Sequence, residues 1–240
     1  MTVALDASSS TGATGQTADA SWTHTPVGTP KGVIVLVSQV NGGGSNPPDQ
    51  VVGITYGGVA LTRLTTTAVQ KTGDGVRGYA YFLGSSIPTG AQTVAVDVNS
   101  SGAYAAFAWT VTADTDTEIV DWEQAAGNMS PGATAELNLA SRTCFVVEVW
   151  ASEASSLANT TPKTGWTSSY EVDFGVNSGG SYKYDTIGSA NVTPGTSTSD
   201  MMSIIGLAVS EVVGGAPTLS DYQVTGITAT SCTATYDYTF

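Results

Sequence analysis

The sequence predicts an all-β protein: an antiparallel two-sheet β-sandwich of jelly-roll type with a short C-terminal β-hairpin extension. Three observations predict it. Period-2 alternation of apolar and polar residues recurs along the chain, bounded each time by Gly, Pro, Asn or Ser clusters. β-branched and aromatic residues fill those windows, which suits a pleated surface. The helix formers Lys, Glu, Arg and Gln are scarce, and no window of about 12 residues keeps an i, i+3, i+4, i+7 apolar stripe.

Residues 93–98 alternate most clearly, with Val94, Val96 and Val98 opposite Thr93, Ala95 and Asp97. Residues 78–83 set Tyr79, Tyr81 and Leu83 against Ala80 and Phe82. Three short apolar runs, 32–37, 144–149 and 204–209, read as central strands covered on both faces. Turn chemistry separates about a dozen strands in residues 1–213, at 41–49, 56–58, 71–75, 87–90 and 177–180. The segment 114–123 has room for a helical turn, but Ile119, Val120 and Trp122 fit a strand equally. No fixed-period repeat is visible, which argues against a solenoid or propeller.

Domain organisation follows from composition. Residues 1–213 form the sandwich, and Gly214-Gly215-Ala216-Pro217 reads as a linker. Residues 218–240 read as two strands, 221–227 and 233–240. The second places Ala234, Tyr236, Tyr238 and Phe240 on one face. An isolated hairpin is marginal in water, so this aromatic face needs a partner surface: the sandwich, a symmetry mate or another protein. Tyr222, Tyr236, Tyr238 and Phe240 are therefore the expected partner-binding residues.

Composition also excludes. The 240 residues hold 7 Lys+Arg against 20 Asp+Glu, a net charge of −13, and only 11% are charged. Gly reaches 28, and Ser with Thr make up about a quarter of the chain. Such a polyanion repels phosphate backbones and anionic membranes, so nucleic-acid and membrane binding are not expected. No apolar run approaches the ~20 residues of a membrane-spanning helix. The N-terminus has neither the basic nor the apolar region of a secretory signal, which leaves the cytoplasm or a virus particle as the setting. Cys144 sits in a strand pattern as a small hydrophobe, and a 144–232 bridge stays open.

Catalytic constellations are sparse. His24 stands alone, without HxH, HExxH, a Cys/His cluster or a GxSxG elbow, and reads as a structural or surface histidine. Asp114, Asp116, Glu118, Asp121 and Glu123 carry part of a calcium-loop spacing, but Ile119 occupies the glycine position. A solvated acidic strand edge is the simpler reading. Glu148 and Glu153 suggest the paired carboxylates of glycoside hydrolases, yet an odd separation along a strand points them to opposite faces. Neither metal nor cofactor is expected, and the chain is read as a non-enzyme. Trp109 and Trp150 fit the core, while Trp166 has the best claim to exposure and to stacking on a sugar. Sequons at Asn99, Asn128, Asn159 and Asn191 are expected to stay unmodified without a secretory route. A terminal Phe240 behind Tyr236 and Tyr238 also fits the last strand of an outer-membrane barrel, but no lipid-facing pattern occurs elsewhere.

Six segments carry a family resemblance: Gly-Val-Ile-Val-Leu-Val at 32–37, Val-Gly-Ile-Thr-Tyr-Gly-Gly-Val-Ala-Leu-Thr-Arg at 52–63, and Gly-Tyr-Ala-Tyr-Phe-Leu at 78–83, then the runs 87–96, 144–149 and 203–209. In this order they resemble a β-sandwich module of phage and prophage structural proteins and bacterial surface proteins, over about residues 1–213. Residues 216–235 are similar to the opening of a fibronectin type III or Ig-like domain, but supply two strands where that domain has about seven. The resemblance implies a virion structural protein, a head decoration or accessory tail component, that binds other virion proteins and forms a homo-oligomer. The alternative is a carbohydrate-binding or adhesion module with weak glycan affinity; a glycan-degrading enzyme is the third reading.

Overall fold

The computed structural model describes residues 3–12, 16–40, 48–64, 76–99, 102–128, 135–140, 142–152, 165–173, 177–186, 189–192 and 201–212. They form sixteen strands and no helix, so no helix is long and apolar enough to cross a membrane. The first half of the chain supplies β1 (Ala4–Ser10), β2 (Ala20–His24), β3 (Gly32–Val40), β4 (Val51–Tyr56), β5 (Val59–Ala60), β6 (Thr62–Arg63), β7 (Val76–Leu83), β8 (Gln92–Val98) and β9 (Ala103–Thr112). The second supplies β10 (Thr117–Asn128), β11 (Ala135–Asn138), β12 (Thr143–Ser152), β13 (Thr167–Asp173), β14 (Asn177–Thr186), β15 (Ser189–Val192) and β16 (Met201–Glu211). The segment 114–123 that was open to two readings is strand from Thr117 onward.

All pairings are antiparallel, as expected, but the described strands lie in four sheets rather than two. Two are five-stranded, ordered β1-β9-β3-β7-β6 and β10-β16-β12-β14-β13; a four-stranded sheet runs β2-β8-β4-β5 and a two-stranded one β11-β15. The reason lies in the apolar runs. On β3, Ile34 and Leu36 enter one core cluster while Val33, Val35 and Val37 enter another. On β12, Phe145, Val147 and Val149 split in the same way from Cys144, Val146 and Trp150. Strands apolar on both faces need cover on both faces. The first cluster therefore joins the two five-stranded sheets. The second joins the first of them to the four-stranded sheet, and the third packs the other side of the second sheet with Leu137 and Leu139.

The halves repeat one another in topology. Opening strand, closing strand, third strand, antepenultimate strand and the strand before it follow in that order across both five-stranded sheets. In each half the second strand leaves to pair with the penultimate one, β2 with β8 and β11 with β15. Both opening strands carry a bulge, between Leu5 and Ala7 and between Ile119 and Asp121. Only the first half has the β4–β5 hairpin in this position among the described residues, turned by Gly57 (φ 56°) and Gly58 (φ 82°). Both glycines have the positive φ that such a tight turn requires.

Side chains diverge between equivalent rungs. Ser38 lies between Ala105 and Gly78 in one sheet; Val149 lies between Ile205 and Gly180 in the other. The glycines make the match reciprocal. A Cβ on Gly78 would meet Ile205 of β16, and a Cβ on Gly180 would meet Trp109 and Phe107 of β9. Each half thus leaves a gap in its sheet that a side chain from the other half fills.

Candidate functional site

The expected partner-binding residues Tyr222, Tyr236, Tyr238 and Phe240 lie outside the described residues, as do Cys232 and Glu153. Four other features can be placed.

Trp166 is not exposed. It is 8% accessible within the third cluster, and the Lys183 ammonium lies 5.3 Å from its ring centroid. Gly165, at φ 88°, turns the chain just before it. Its role as a sugar-stacking platform is thereby corrected. Trp109 and Trp150 are buried as expected. A groove of about 580 Å³ beside the four-stranded sheet, edged by Asp19, Val52, Arg63 and Asp97, has Tyr81 as its one aromatic lining residue, and that ring is 1% exposed.

The acidic stretch is dispersed. Asp116 faces Lys31 at 3.9 Å, Glu118 holds Arg142 at 2.7 Å, and Asp121 accepts from the backbone N–H of Trp122 and Asn138. Arg142 also donates to the Glu211 carbonyl. No group of three potential metal ligands converges among the described residues. Glu148 is buried and accepts from Ser181 Oγ at 2.7 Å, within the face between Val146 and Trp150. Cys144 is buried in the same cluster.

A second polar group closes one end of the first half. Tyr79 donates to Gln39 Oε1 at 2.6 Å and accepts from the Gln50 N–H at 3.0 Å. The Gln50 amide donates to the Gly102 carbonyl and accepts from the Gly102 N–H, so a side chain stands in for a strand partner. Asp49 holds Arg63 through both oxygens, at 3.1 and 2.9 Å, with Arg77 at 3.8 Å. Two of the seven basic residues are spent on this one carboxylate.

His24 gives the most directional geometry. It is fully buried, as a structural histidine should be, but it is the centre of a chain of side chains. Thr110 Oγ1 donates to Asp6 Oδ2 at 3.0 Å. Having given its proton, Thr110 must accept from His24 Nε2 at 3.0 Å. Nδ1 is then the acceptor, and Ser9 Oγ donates to it at 2.6 Å while receiving the Trp22 indole N–H at 2.8 Å. Asp6 Oδ1 accepts from the N–H groups of Val27 and Gly28. Burial pushes the imidazole below its ordinary pKa, against the opposing pull of Asp6. The partners come from 15 and 86 residues away, so no local motif announces them. The serine–imidazole contact is that of a nucleophile and its base, but the carboxylate reaches the ring only through Thr110, and the ring itself is sealed from solvent.

Buried phenols give a testable pH limit. Burial pushes Tyr56, Tyr81 and Tyr104 up to about 12, with Asp6 adding to the rise at Tyr56 and Asp19 at Tyr104. Unfolded tyrosines lose their protons near pH 10. The folded state therefore keeps protons that the unfolded state gives up, and stability falls as pH rises from about 10 towards 12. Urea midpoints at about pH 9 and 11 are expected to show that fall. Tyr104→Phe reduces it, and equal slopes in both proteins contradict the account.

Against protein-family models, curated proteins and solved structures, the chain matches none.

Proposed function

We propose that this chain is a non-enzymatic structural protein of a bacteriophage particle, a head decoration or accessory tail component that acts by protein–protein association. The observation that carries the proposal is the alternation of residues 233–240, which sets Ala234, Tyr236, Tyr238 and Phe240 on one face. That face is suited to adding strands to a neighbouring sheet. The acidic, hydroxyl-rich composition supports a solvated exterior, and contacts in a particle are usually symmetric, so a homo-oligomer follows. The packing of two antiparallel five-stranded sheets supports the sandwich part of this reading. Assembly takes place in the host cytoplasm and the mature setting is the virion.

Deleting residues 218–240 is expected to abolish incorporation into particles while leaving the melting temperature of the remainder unchanged. Truncated protein that joins particles at full occupancy contradicts the proposal.

A further inference from the structure

The layers of the first half meet at an edge where backbone pairing ends. β1 is the end strand of its five-stranded sheet and β2 the end strand of the four-stranded sheet. Stacked sheets lie about 10 Å apart, too far for backbone hydrogen bonds, so side chains must join them. Between the strands themselves the described side-chain joints are Ser9 to His24, Ser9 to Trp22, and His24 to Thr110, all passing through the imidazole or the hydroxyl bonded to it. Beyond the strands, Asp6 holds the N–H groups of Val27 and Gly28, Tyr104 donates to the Ala18 carbonyl, and Gln16 pairs with Tyr104.

We propose that the Ser9–His24–Thr110–Asp6 chain is an acid-released latch holding β1 and β2 along this edge. The neutral ring does two jobs at once: Nδ1 accepts from Ser9 and Nε2 donates to Thr110. A proton on Nδ1 reverses one of them. Ser9 must then accept from both the imidazolium and Trp22 and turn its own proton elsewhere, while a charge is left in a fully buried site. The surroundings offer little compensation. From β1 comes the Asp6 carboxylate, insulated from the ring by Thr110 of β9 and already accepting two N–H bonds. From β4 comes Tyr56, neutral, its ring centroid 6.0 Å away and its hydroxyl without a partner among the described residues. From β8 comes Gln92, the register partner of His24, whose amide donates to Thr89. Asp6 is the charged group that acts on the ring. Opening the latch bares the outer edges of β8 and β9, which strand-adding partners can use.

The test is amide hydrogen exchange on the full-length protein at about pH 7.5 and pH 5, corrected for intrinsic exchange. It is paired with a proton-NMR titration of His24, the only histidine. Protection of β1 and β2 is expected to fall several-fold at the lower pH, while β3 and β12 keep theirs. In His24→Gln, protection of β1 and β2 is expected to be the same at both values. Should that variant fail to fold, His24→Asn serves, with the same expectation. The proposal is overturned if protection of β1 and β2 stays constant while His24 titrates. It is equally overturned if the variants lose protection with acid as the wild type does, since carboxylates would then be the cause.

Discussion

Trp109→Ala is expected to lower the free energy of unfolding by about 3–5 kcal/mol, the range for emptying a large aromatic site in a well-packed core. Trp109 is fully buried on β9, in the cluster that joins the two halves. Its ring stacks near Phe107, with centroids 6.3 Å apart and an interplanar angle of 27°. Its indole N–H donates to Ser169 Oγ of β13 at 2.9 Å, across the interface between the five-stranded sheets. Truncation thus opens a cavity and removes a cross-sheet hydrogen bond together. Urea unfolding measures it: a lower midpoint with an unchanged slope is the expected pattern. Trp109→Phe keeps much of the volume and is expected to lose less. A loss for Trp109→Ala below about 1 kcal/mol would mean that the halves are not held together there.

Gly180→Val is expected to cost about 1–3 kcal/mol through overpacking. The sign is informative because glycine inside a strand is itself a liability, and a β-branched residue should help wherever space allows. A Cβ at Gly180 would lie 3.0 Å from the Trp109 ring and 3.3 Å from Phe107, tighter than ordinary contact. Gly78, the equivalent position in the first half, is the control: its Cβ would lie 3.4 Å from Ile205, at ordinary contact distance. Gly78→Ala is therefore expected to be near neutral. Equal effects at both positions would contradict the reciprocal packing.

The all-β class, strands such as 78–83 and 93–98, and the paired-glycine turn were legible because each rests on local chemistry, whereas 177–180, which reads as a turn, begins β14. The number of layers was legible in principle. A run such as 33–37, apolar at consecutive positions, already requires cover on both sides, which a sandwich of two half-wet sheets cannot give. The repeat was hidden because it lies in strand order and register, while the residues on equivalent rungs differ. Ile34 with Trp109 and Phe82 answers to Phe145 with Val209 and Tyr184. The burial of His24 and its contacts with Ser9, Thr110 and Asp6 were out of reach because strand register brings these residues together. Trp166 misled because its polar neighbours describe the chain around it and not the cavity its ring fills.

The central claim is that residues 218–240 are an assembly device appended to a self-sufficient core. Sedimentation velocity on the 240-residue protein beside residues 1–213, with melting curves for both, tests it most directly. The account predicts a defined oligomer for the full chain and a folded monomer of equal thermal stability for the shorter one. Two monomers that melt alike, or a shorter chain that fails to fold, would contradict it.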